Sequence, residues 1–560
     1  HLTPNQFLTL TPKHLAGLVL SSTGKTSHTA ILARSSGIPT LADIDFSSLD
    51  FDVDQLIIID GEPGILITHP DEKVLRYYRH EIAVQQDMQQ RLRENALAPA
   101  RTRDGHRVEV AANIASLAEA QAAFENGAES IGLFRTEITY MGRDYPPSCA
   151  ELTNLYKQVV TLAGGKPVIF RTFDIGGDKP VGYLSVDNEE NPFLGFRAVR
   201  TYPQYRDLFS TQLKAILSAS TSGKAKIMLP MISRVEELIW CREVLESVKQ
   251  EMRHEGLAFD EQTALGIMLE VPSVLFSMAE MAEHADFFSV GSNDLTQYFF
   301  AADRGNAQVK TLYDSCTPPF LRALQFAVKE AHRAGKPVGL CGELAADETI
   351  LPLLIGIGFD ELSMNCTAIP GIKHALGQLS AGDCRSLTQN LLQNHNAQQF
   401  KAALQNSSVS AAQKPLLSPE MVLWGIDAAD KNEAIKMMVD NLWLQQRTNT
   451  RDRLCSDIWA REVPFPTVVG SGFAIPHAQT DAVRDSSVSI ATLRQPIAWG
   501  GVMVDTLFML TISKSAQDNE HMKYFSSLAR MLMNDEFVSQ IKAAKSPEAL
   551  YTLISRTLVF

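Results

Sequence analysis

The sequence predicts an α/β protein built around a (β/α)8 barrel, with a smaller α/β unit before it and another after it. Eight short apolar runs alternate with helical segments over residues 106–366, which is the order and length typical of this barrel. A polar stretch rich in Gln, Asn and Ser over residues 394–415 separates this region from a last segment with its own helices and strands. The total of 560 residues is too long for one ordinary domain.

The first unit is expected over residues 1–70. GLVLS at 17–21 reads as a strand, a glycine loop follows, and TAILARS has helical apolar spacing. IPTLAD and QLIIIDGEPGILITHP then return to strand-like runs with Gly and Pro turns. Residues 71–98 contain neither Gly nor Pro and place apolar residues at helical spacing, so the sequence predicts a linker helix within residues 71–100.

The barrel region is expected over residues 101–395. Its strand candidates share short apolar runs: RVEVAANI (107–114), SIGLFRTE (130–137), PVIFRTFDIGG (167–177), KIMLPMI (226–232), LGIMLEVP (265–272), FFSVGSNDLTQ (287–297), PVGLCGEL (337–344) and FDELSMN (359–365). The alternative architecture is an open, doubly wound sheet.

Helix signals lie between these strands. Ser116 with Glu119 and Ser233 with Glu236 fit capping boxes, and Gly127 fits a helix stop, as does Gly256. After a linker at 396–415, the last domain is expected over 416–560, with strands in SVSIATL and DTLFMLTIS.

Composition excludes some classes of protein. The net charge of −13 argues against a nucleic-acid binder, which needs a basic face. The sequence shows no uncharged apolar run of 18 residues and no signal peptide. Seven cysteines without a C-x-x-C pair indicate reduced thiols and a cytoplasmic protein. The chain begins with His1 rather than Met, so we expect a processed or truncated product with sequence missing upstream.

The strand ends carry the candidate chemistry, because catalytic groups of this barrel lie at the carboxyl ends of its strands. Arginines suit a multiply charged anion, and paired carboxylates suit Mg²⁺ shared with a phosphate. A single charged residue at a strand end is more often a surface ion pair, and a lone cysteine is more often a small core residue. The residues at or near these ends are Asn113, Arg135, Glu137, Arg171, Asp174, Glu270, Asn293, Asp294, Cys341, Glu343 and, just beyond, Arg304.

Three histidines outside the barrel are candidate functional residues. His28 lies among small residues at a predicted loop–helix junction, where backbone N–H groups stabilise a bound anion. His477 follows the glycine-containing run GSGFAIP, and His521 lies in a segment with helical periodicity. No P-loop signature occurs, so a nucleotide site of that type is not supported. A polar cap is the commoner role for a histidine such as His28, and a buried histidine bonded to the backbone is the commoner role for one such as His477. Two histidines in one small domain also suggest metal ligands, but no cysteine or carboxylate spacing completes such a site.

A set of motifs in residues 1–395 resembles enzyme I of the phosphoenolpyruvate:sugar phosphotransferase system. The motifs are GKTSHTAILARSSGIP, GLFRTE, FRTFDIGGDK, ENPFLGFRAVR, GIMLEVP, FFSVGSNDLTQY, DRGN and LCGELAAD. Residues 416–560, with GSGFAIPH and NEHM, resemble a fructose/mannitol-type IIA domain. The combination resembles the multiphosphoryl transfer proteins, in which phosphocarrier, enzyme I and IIA modules share one chain.

The resemblance implies roles for individual residues. His28 would accept phosphate on a swivelling domain, and Cys341 would protonate the enolate of pyruvate. His477 would be the IIA phosphohistidine, with His521 beside it and Arg461 supporting its phosphate. In the barrel, three arginines would hold phosphoenolpyruvate, Asn293 would lie beside it, and two carboxylates would bind Mg²⁺: Arg135, Arg171, Arg304, Glu270 and Asp294.

The resemblance also implies partners: phosphoenolpyruvate, a phosphocarrier (HPr), IIB/IIC permease components and a second copy through the barrel. The sequence departs from enzyme I because it lacks the carrier-binding helical subdomain and the early strands of the swivelling domain, and has Thr-Gly-Lys before Thr26-Ser27-His28. A pyruvate phosphate dikinase or phosphoenolpyruvate synthase is a rival, but its nucleotide domain is missing. The remaining alternative is a regulatory phosphoprotein or truncated remnant without relay activity.

Overall fold

The computed structural model describes residues 15–21, 38–42, 44–46, 55–61, 63–177, 179, 181–184, 189–306, 308–394, 396–406, 415–448, 450–483, 485–514 and 520–557. The chain divides into two compact units. The first comprises residues up to 79 together with 89–411, and the second comprises residues 80–88 together with 412 onward.

The beginning of the first unit contains short paired strands. Strand β1, Leu18–Val19, pairs in parallel with β2, Thr40–Leu41, and β3, Ile58–Asp60, forms an antiparallel hairpin with β4, Ile65–Ile67. These strands confirm the strand predictions made for this region. The helix predicted in TAILARS and His28 lie outside the described residues.

The predicted linker helix is confirmed as α1, Glu72–Ala96. It begins after Asp71, whose side chain accepts a hydrogen bond from the backbone N–H of Val74 at 2.7 Å. Its last turn is anchored by Lys373, whose Nζ donates to the carbonyls of Ala96, Ala98 and Gly127 at 2.8 Å each. The carbonyls of Ala96 and Ala98 lie at the helix end, where no backbone N–H of the helix is left to donate to them.

Eight parallel strands form a closed barrel, which confirms the fold prediction and excludes the open sheet. Their order around the barrel follows the chain, and β12 pairs with β5 to close it. The strands are β5 (Glu109–Ile114), β6 (Ile131–Arg135), β7 (Val168–Arg171), β8 (Ala225–Leu229), β9 (Leu265–Leu269), β10 (Phe288–Val290), β11 (Val338–Leu340) and β12 (Glu361–Asn365).

Helices surround the barrel because alternate strand residues point outward and need an apolar cover. They are α2 (Leu117–Glu125), α3 (Cys149–Leu162), α4 (Arg206–Ala219), α5 (Val235–His254), α6 (Met278–His284), α7 (Ser292–Phe300), α8 (Pro318–Arg333), α9 (Leu351–Ile357), α10 (Ile369–Gln378), α11 (Ala381–Leu391) and α12 (Ala397–Asn406). A smaller set of buried side chains clusters apart from this outer core: Leu133, Ile169, Met228, Met268, Phe287 and Cys341.

The predicted helix boundaries are partly right. Ser116 caps α2, and Gly127 and Gly256 follow helix ends with φ values of +88° and +68°. The capping box expected from Ser233 is displaced by one residue. The cap of α5 is Arg234, and the reciprocal carboxylate is Glu237 rather than Glu236, because Glu237 reaches the backbone N–H groups of both 233 and 234.

Two longer predictions are corrected. The sixth strand ends at Val290. The rest of the predicted run forms α7, which begins at Ser292 with Gly291 as its N-cap residue. The expected linker at 396–415 contains helix α12, Ala397–Asn406. Phe400 and Leu404 of that helix are buried in the barrel unit. The burial of these two apolar side chains stabilises a helix in a segment whose other residues are mostly polar.

The second unit is built on a mixed sheet in the order β13-β17-β18-β15-β14, with β16 paired to β18. Its strands are β13 (Val422–Ile426), β14 (Val468–Gly470), β15 (Phe473–Ala474), β16 (His477–Thr480), β17 (Ser487–Trp499) and β18 (Val502–Ser513). Its helices are α13 (Lys431–Leu444), α14 (Arg451–Glu462), α15 (Glu520–Leu532), α16 (Asp535–Ala543) and α17 (Pro547–Thr557). The two strands predicted from SVSIATL and DTLFMLTIS are confirmed as β17 and β18. Within the ranges described above, no helix has the length and apolar character needed to cross a membrane.

Candidate functional site

The carboxyl ends of the barrel strands bring together the predicted charged residues. Arg135 and Arg171 are the last residues of neighbouring strands β6 and β7 and are paired in register. Glu270 follows β9 directly, and Cys341 follows β11 directly. Asn293 and Asp294 were predicted to lie at the end of the sixth strand. They lie instead in the first turn of α7, whose N-terminus opens at the same end of the barrel.

A buried ionic cluster surrounds Arg171. Its guanidinium contacts the carboxylates of Glu137 and, at 3.6 Å, Asp174. Lys179 Nζ lies 3.1 Å from Glu137 Oε1 and 3.0 Å from Asp174 Oδ2. Arg197 donates to Asp174 through Nε at 3.1 Å and through its terminal nitrogen at 2.7 Å. Three cations thus surround two carboxylates in a buried place, and Arg197 also faces a third carboxylate, that of Asp294.

Electrostatics keeps both carboxylates of this cluster ionised. Burial pushes the pKa of Asp174 upward, but Lys179, Arg197 and Arg171 outweigh it and hold the pKa well below its ordinary value. Burial likewise opposes ionisation of Glu137, yet Arg171 and Lys179 lower its pKa. Lys179 and Arg197 were not among the residues predicted as a site. Their signal was present in the motifs: Lys179 in FRTFDIGGDK lies two residues beyond a predicted strand, and Arg197 lies in ENPFLGFRAVR, between two predicted strands.

Several buried polar atoms at this end of the barrel lack hydrogen-bond partners among the described residues. They include Arg171 Nε, Glu137 Oε2 and the Ser292 hydroxyl. An unpaired buried polar group costs roughly 1–3 kcal/mol, so native proteins rarely leave several of them together. Of these atoms, Arg171 Nε and the Ser292 hydroxyl can donate a hydrogen bond to an anion, whereas Glu137 Oε2 can only accept one.

Two carboxylates lie beside the cationic cluster. Glu270 is 2% exposed and accepts a hydrogen bond from the Met231 N–H at 2.6 Å. Burial and, next, the charge of Asp294 raise the pKa of Glu270 to about 8. Asp294 faces Arg197 and Arg304, each at 3.5 Å, and its Oδ1 accepts no hydrogen bond from a described residue.

This pair of carboxylates fits a divalent cation. A cation between them would relieve the repulsion that raises the Glu270 pKa and would bind Asp294 Oδ1, which accepts no hydrogen bond from a described residue. No cluster of three or more His, Cys, Asp or Glu side chains suited to a metal occurs in the part of the chain that the structure describes. Two protein ligands suit Mg²⁺, which usually keeps water and substrate phosphate oxygens as its remaining ligands.

Arg304 and Asn293 complete the opening of the barrel. The guanidinium groups of Arg304 and Arg197 lie over the Phe193 ring, 5.7 and 6.0 Å from its centroid. Asn293 is fixed by its Oδ1, which accepts from the Glu343 N–H at 3.0 Å. The structure therefore brings Arg304 and Asn293 together with Asp294, as predicted for one site.

Cys341 lies at the same end of the barrel and is 3% exposed. Burial raises the pKa of its thiol to about 11, so the sulfur carries a proton at neutral pH. The thiol points to the Val290 carbonyl, with Sγ 3.5 Å from the oxygen. Asn113 holds the backbone beside it, since its Nδ2 donates to the Cys341 carbonyl at 2.9 Å. The carboxyl end of the barrel thus holds a protonated thiol.

A second site lies in the C-terminal unit around His477, which begins strand β16 and is 5% exposed. Arg461 Nε donates to His477 Nε2 at 3.0 Å, and His477 Nδ1 lies 2.8 Å from the Ile475 carbonyl. A guanidinium only donates, so Nε2 is the acceptor and the ring proton is on Nδ1. The Phe525 ring lies 4.8 Å from the imidazole, centroid to centroid. His521 lies on the same helix, four residues before Phe525, but its side chain is outside the described part.

Comparisons with known proteins cover the whole chain. Family models match residues 1–64 (PEP-utilising enzyme, mobile domain), 89–381 (PEP-utilising enzyme, PEP-binding domain) and 415–557 (phosphoenolpyruvate-dependent sugar phosphotransferase system, EIIA 2). Multiphosphoryl transfer protein 2 of Escherichia coli K12 is 47% identical over 557 residues, covering 100% of this chain and 67% of that protein. Multiphosphoryl transfer protein 1 of the same strain is 43% identical over 561 residues, with the same coverage. The phosphoenolpyruvate-protein phosphotransferase of Priestia megaterium is 41% identical over 382 residues, covering 68% of this chain and 67% of that protein.

Proposed function

The chain belongs to the multiphosphoryl transfer protein family, and from this premise we propose which of its residues carry phosphate from phosphoenolpyruvate to a sugar permease. It is a transferase of the phosphotransferase system in which an enzyme I-like region and a IIA domain share one chain. We assign residues 1–70 to a swivelling domain, 71–100 to a linker helix and 101–395 to the barrel. Helix α12 extends the barrel unit to 406, and the IIA domain occupies 416–560.

The proposal depends chiefly on one observation: a buried cluster of three cations and their carboxylate partners, with unpartnered polar atoms, at the catalytic end of a (β/α)8 barrel. The phosphate and carboxylate of phosphoenolpyruvate would bind there. Arg135, Arg171 and Arg304 supply forked donors, and Lys179 and Arg197 reinforce the positive potential. Asn293 would contact the same substrate from the first turn of α7.

Glu270 and Asp294 are the proposed ligands of Mg²⁺. When bound, Mg²⁺ would neutralise part of the phosphoryl charge and help to fix the orientation of the transferred group. Binding requires ionised carboxylates, so Glu270 must release the proton that its raised pKa favours at neutral pH.

The proposed reaction is an in-line displacement. A nitrogen of His28 attacks phosphorus, the bond from phosphorus to the enol oxygen breaks, and its electron pair remains on the enolate. The Cys341 thiol then gives its proton to the methylene carbon, which yields pyruvate and a thiolate that solvent reprotonates. Since the thiol is protonated at neutral pH and buried beside the anion-binding cluster, it suits the role of general acid.

The IIA domain is proposed to accept phosphate at Nε2 of His477, because the other ring nitrogen carries the proton. Arg461 would offset the charge of the bound phosphate, with His521 as a neighbour. The donor would be a phosphocarrier (HPr) and the acceptor a IIB component of a fructose- or mannitol-type permease. His28 would not phosphorylate His477 directly. We further propose a cytoplasmic protein that dimerises through the barrel.

Phosphohistidine mapping tests this relay. The chain is incubated with phosphoenolpyruvate and Mg²⁺, with and without a phosphocarrier, pyruvate is followed, and phosphohistidine is mapped by mass spectrometry at alkaline pH. We expect pyruvate formation, phosphate on His28 in both samples, and phosphate on His477 only with the carrier. His28→Ala is the control, which should abolish all transfer.

Three results would contradict parts of the relay. Phosphate on His477 without a carrier would refute the order of transfer, and none with a phosphorylated carrier would refute the site. Absence of both pyruvate and protein phosphate would favour the truncated remnant.

A further inference from the structure

A buried carboxylate lies next to Arg461 in the C-terminal unit. Glu462, the last residue of helix α14, is 1% exposed, and both of its oxygens accept hydrogen bonds. Oε1 accepts from the Thr467 N–H at 3.1 Å and from Trp499 Nε1 at 2.5 Å, and Oε2 accepts from the Thr467 hydroxyl at 2.6 Å. A buried carboxylate is tolerated only when it is bonded in this way.

One chain of hydrogen bonds leads from Glu462 to Nδ1 of His477. Glu462 fixes Thr467, the Thr467 carbonyl accepts from the Ile475 N–H at 2.9 Å, and the Ile475 carbonyl lies 2.8 Å from His477 Nδ1. The Ile475 carbonyl, which accepts the ring proton of His477, is thus connected to the Glu462 carboxylate through Thr467.

A second connection leads to the other ring nitrogen. Arg461 precedes Glu462 at the end of α14 and donates to His477 Nε2 at 3.0 Å and to the Phe465 carbonyl at 3.2 Å. Glu462 joins the end of this helix to Thr467, five residues further on, so it closes the turn on which Arg461 and Phe465 lie. The orientation of the guanidinium depends on that closure.

We propose that Glu462 is a positioning residue that determines which nitrogen of His477 takes the phosphate. It keeps the Ile475 carbonyl on Nδ1 and the Arg461 guanidinium at Nε2, so that the proton remains on the first nitrogen and the second is the nucleophile. This inference rests on the proposed role of His477 as a phosphate acceptor. Glu462 itself touches neither ring nitrogen in the hydrogen bonds described here.

Two substitutions of Glu462 distinguish the role of its hydrogen bonds from the role of its charge. In Glu462→Gln the amide oxygen can still accept from Thr467 N–H and Trp499, and its NH2 can donate to the Thr467 hydroxyl. Glu462→Ala removes all three hydrogen bonds. Because Glu462 acts through geometry, we expect Gln to rescue most of what Ala loses.

The experiment uses the full chain with His28→Ala, so that phosphate reaches only the C-terminal unit, and supplies a separately phosphorylated phosphocarrier. The rate of phosphate appearance on His477 is measured, and alkaline hydrolysis with chromatography identifies the Nε2 and Nδ1 phosphohistidine isomers. With Glu462 intact we expect only the Nε2 isomer. Glu462→Ala should slow transfer at least tenfold and produce a measurable share of the Nδ1 isomer, and Glu462→Gln should restore the rate to within about threefold.

Controls separate positioning from loss of stability. Glu433→Ala removes a carboxylate that accepts from the Ala429 N–H in the same unit, and it should change neither rate nor isomer. If Glu462→Ala does not fold, Thr467→Val tests the inference instead. It removes only the hydrogen bond from the Thr467 hydroxyl to Glu462 and should slow transfer at least threefold. A folded Glu462→Ala chain, or a Thr467→Val chain, with full rate and the Nε2 isomer alone would overturn the inference. Absence of phosphate from His477 with Glu462 intact would overturn the proposed function and this inference with it.

Discussion

Replacing Glu361 with Gln should stabilise the barrel, and the gain should grow as pH rises. Glu361 is the first residue of β12, at the end of the barrel opposite to the site, and its carboxylate points between glycines. A Cβ on Gly132 would lie 2.4 Å from Glu361 Oε1, and one on Gly339 would lie 3.1 Å from it. Burial and, next, repulsion by Glu109 raise the pKa of Glu361 to about 8, although Lys226 opposes the shift.

The sign of the effect follows from proton binding. The folded state keeps the Glu361 proton up to a pH of about 8, whereas the unfolded chain loses it near the ordinary value of 4.5. The free energy of unfolding therefore falls by about 1.4 kcal/mol for each pH unit between these values. The full shift corresponds to at most about 5 kcal/mol, and because the side chain is only half-buried, we expect roughly 2–4 kcal/mol. Glu361→Gln has no proton to lose and escapes this decline.

Urea unfolding at pH 5.5, 7.0 and 8.5 measures the difference. A short pulse of thiol labelling at one fixed pH detects the unfolded barrel through Cys241 and Cys384, which are both buried within it. Glu109→Gln is the matched control, because Glu109 pairs with Glu361 in register and its removal should lower the folded pKa of Glu361 and end the decline at a lower pH. If the unaltered chain and Glu361→Gln lose stability equally between pH 5.5 and 8.5, the reasoning is wrong.

Three further outcomes are expected. Cys341→Ala should leave the affinity for phosphoenolpyruvate unchanged in calorimetry and slow pyruvate formation, because it removes a proton donor and no charge; unchanged turnover would make Cys341 a packing residue. Glu270→Ala or Asp294→Ala should weaken the increase in phosphoenolpyruvate affinity that Mg²⁺ produces, and equal affinity of the unaltered chain with and without Mg²⁺ would refute the metal assignment. Lys373→Met should destabilise the barrel by roughly 2–3 kcal/mol in the same urea assay, because two buried carbonyls and a third, partly buried one lose their donor; a loss below about 1 kcal/mol would show that water replaces the ammonium group.

Local patterns in the sequence were sufficient to predict the architecture. The barrel strands were predictable because each is a short apolar run, and α1 was predictable because its apolar residues recur at helical spacing without Gly or Pro. Arg135, Arg171, Glu270 and Cys341 were predictable as one site because parallel strands end at the same edge of the barrel. Helix α12 was missed because its stability comes from burying Phe400, which composition does not show.

Other features depend on residues that are far apart in the chain. Arg197 bonds to Asp174 from a separate loop, and Glu462 is fixed by Trp499 from another strand. The sequence alone determined the order of strands and helices and the types of residue at the strand ends, because hydrophobic periodicity acts within one segment. Only the tertiary structure decided which charges are buried together, which pKa values shift and which nitrogen of His477 carries the proton, because those depend on desolvation and on partners that folding brings within hydrogen-bond distance.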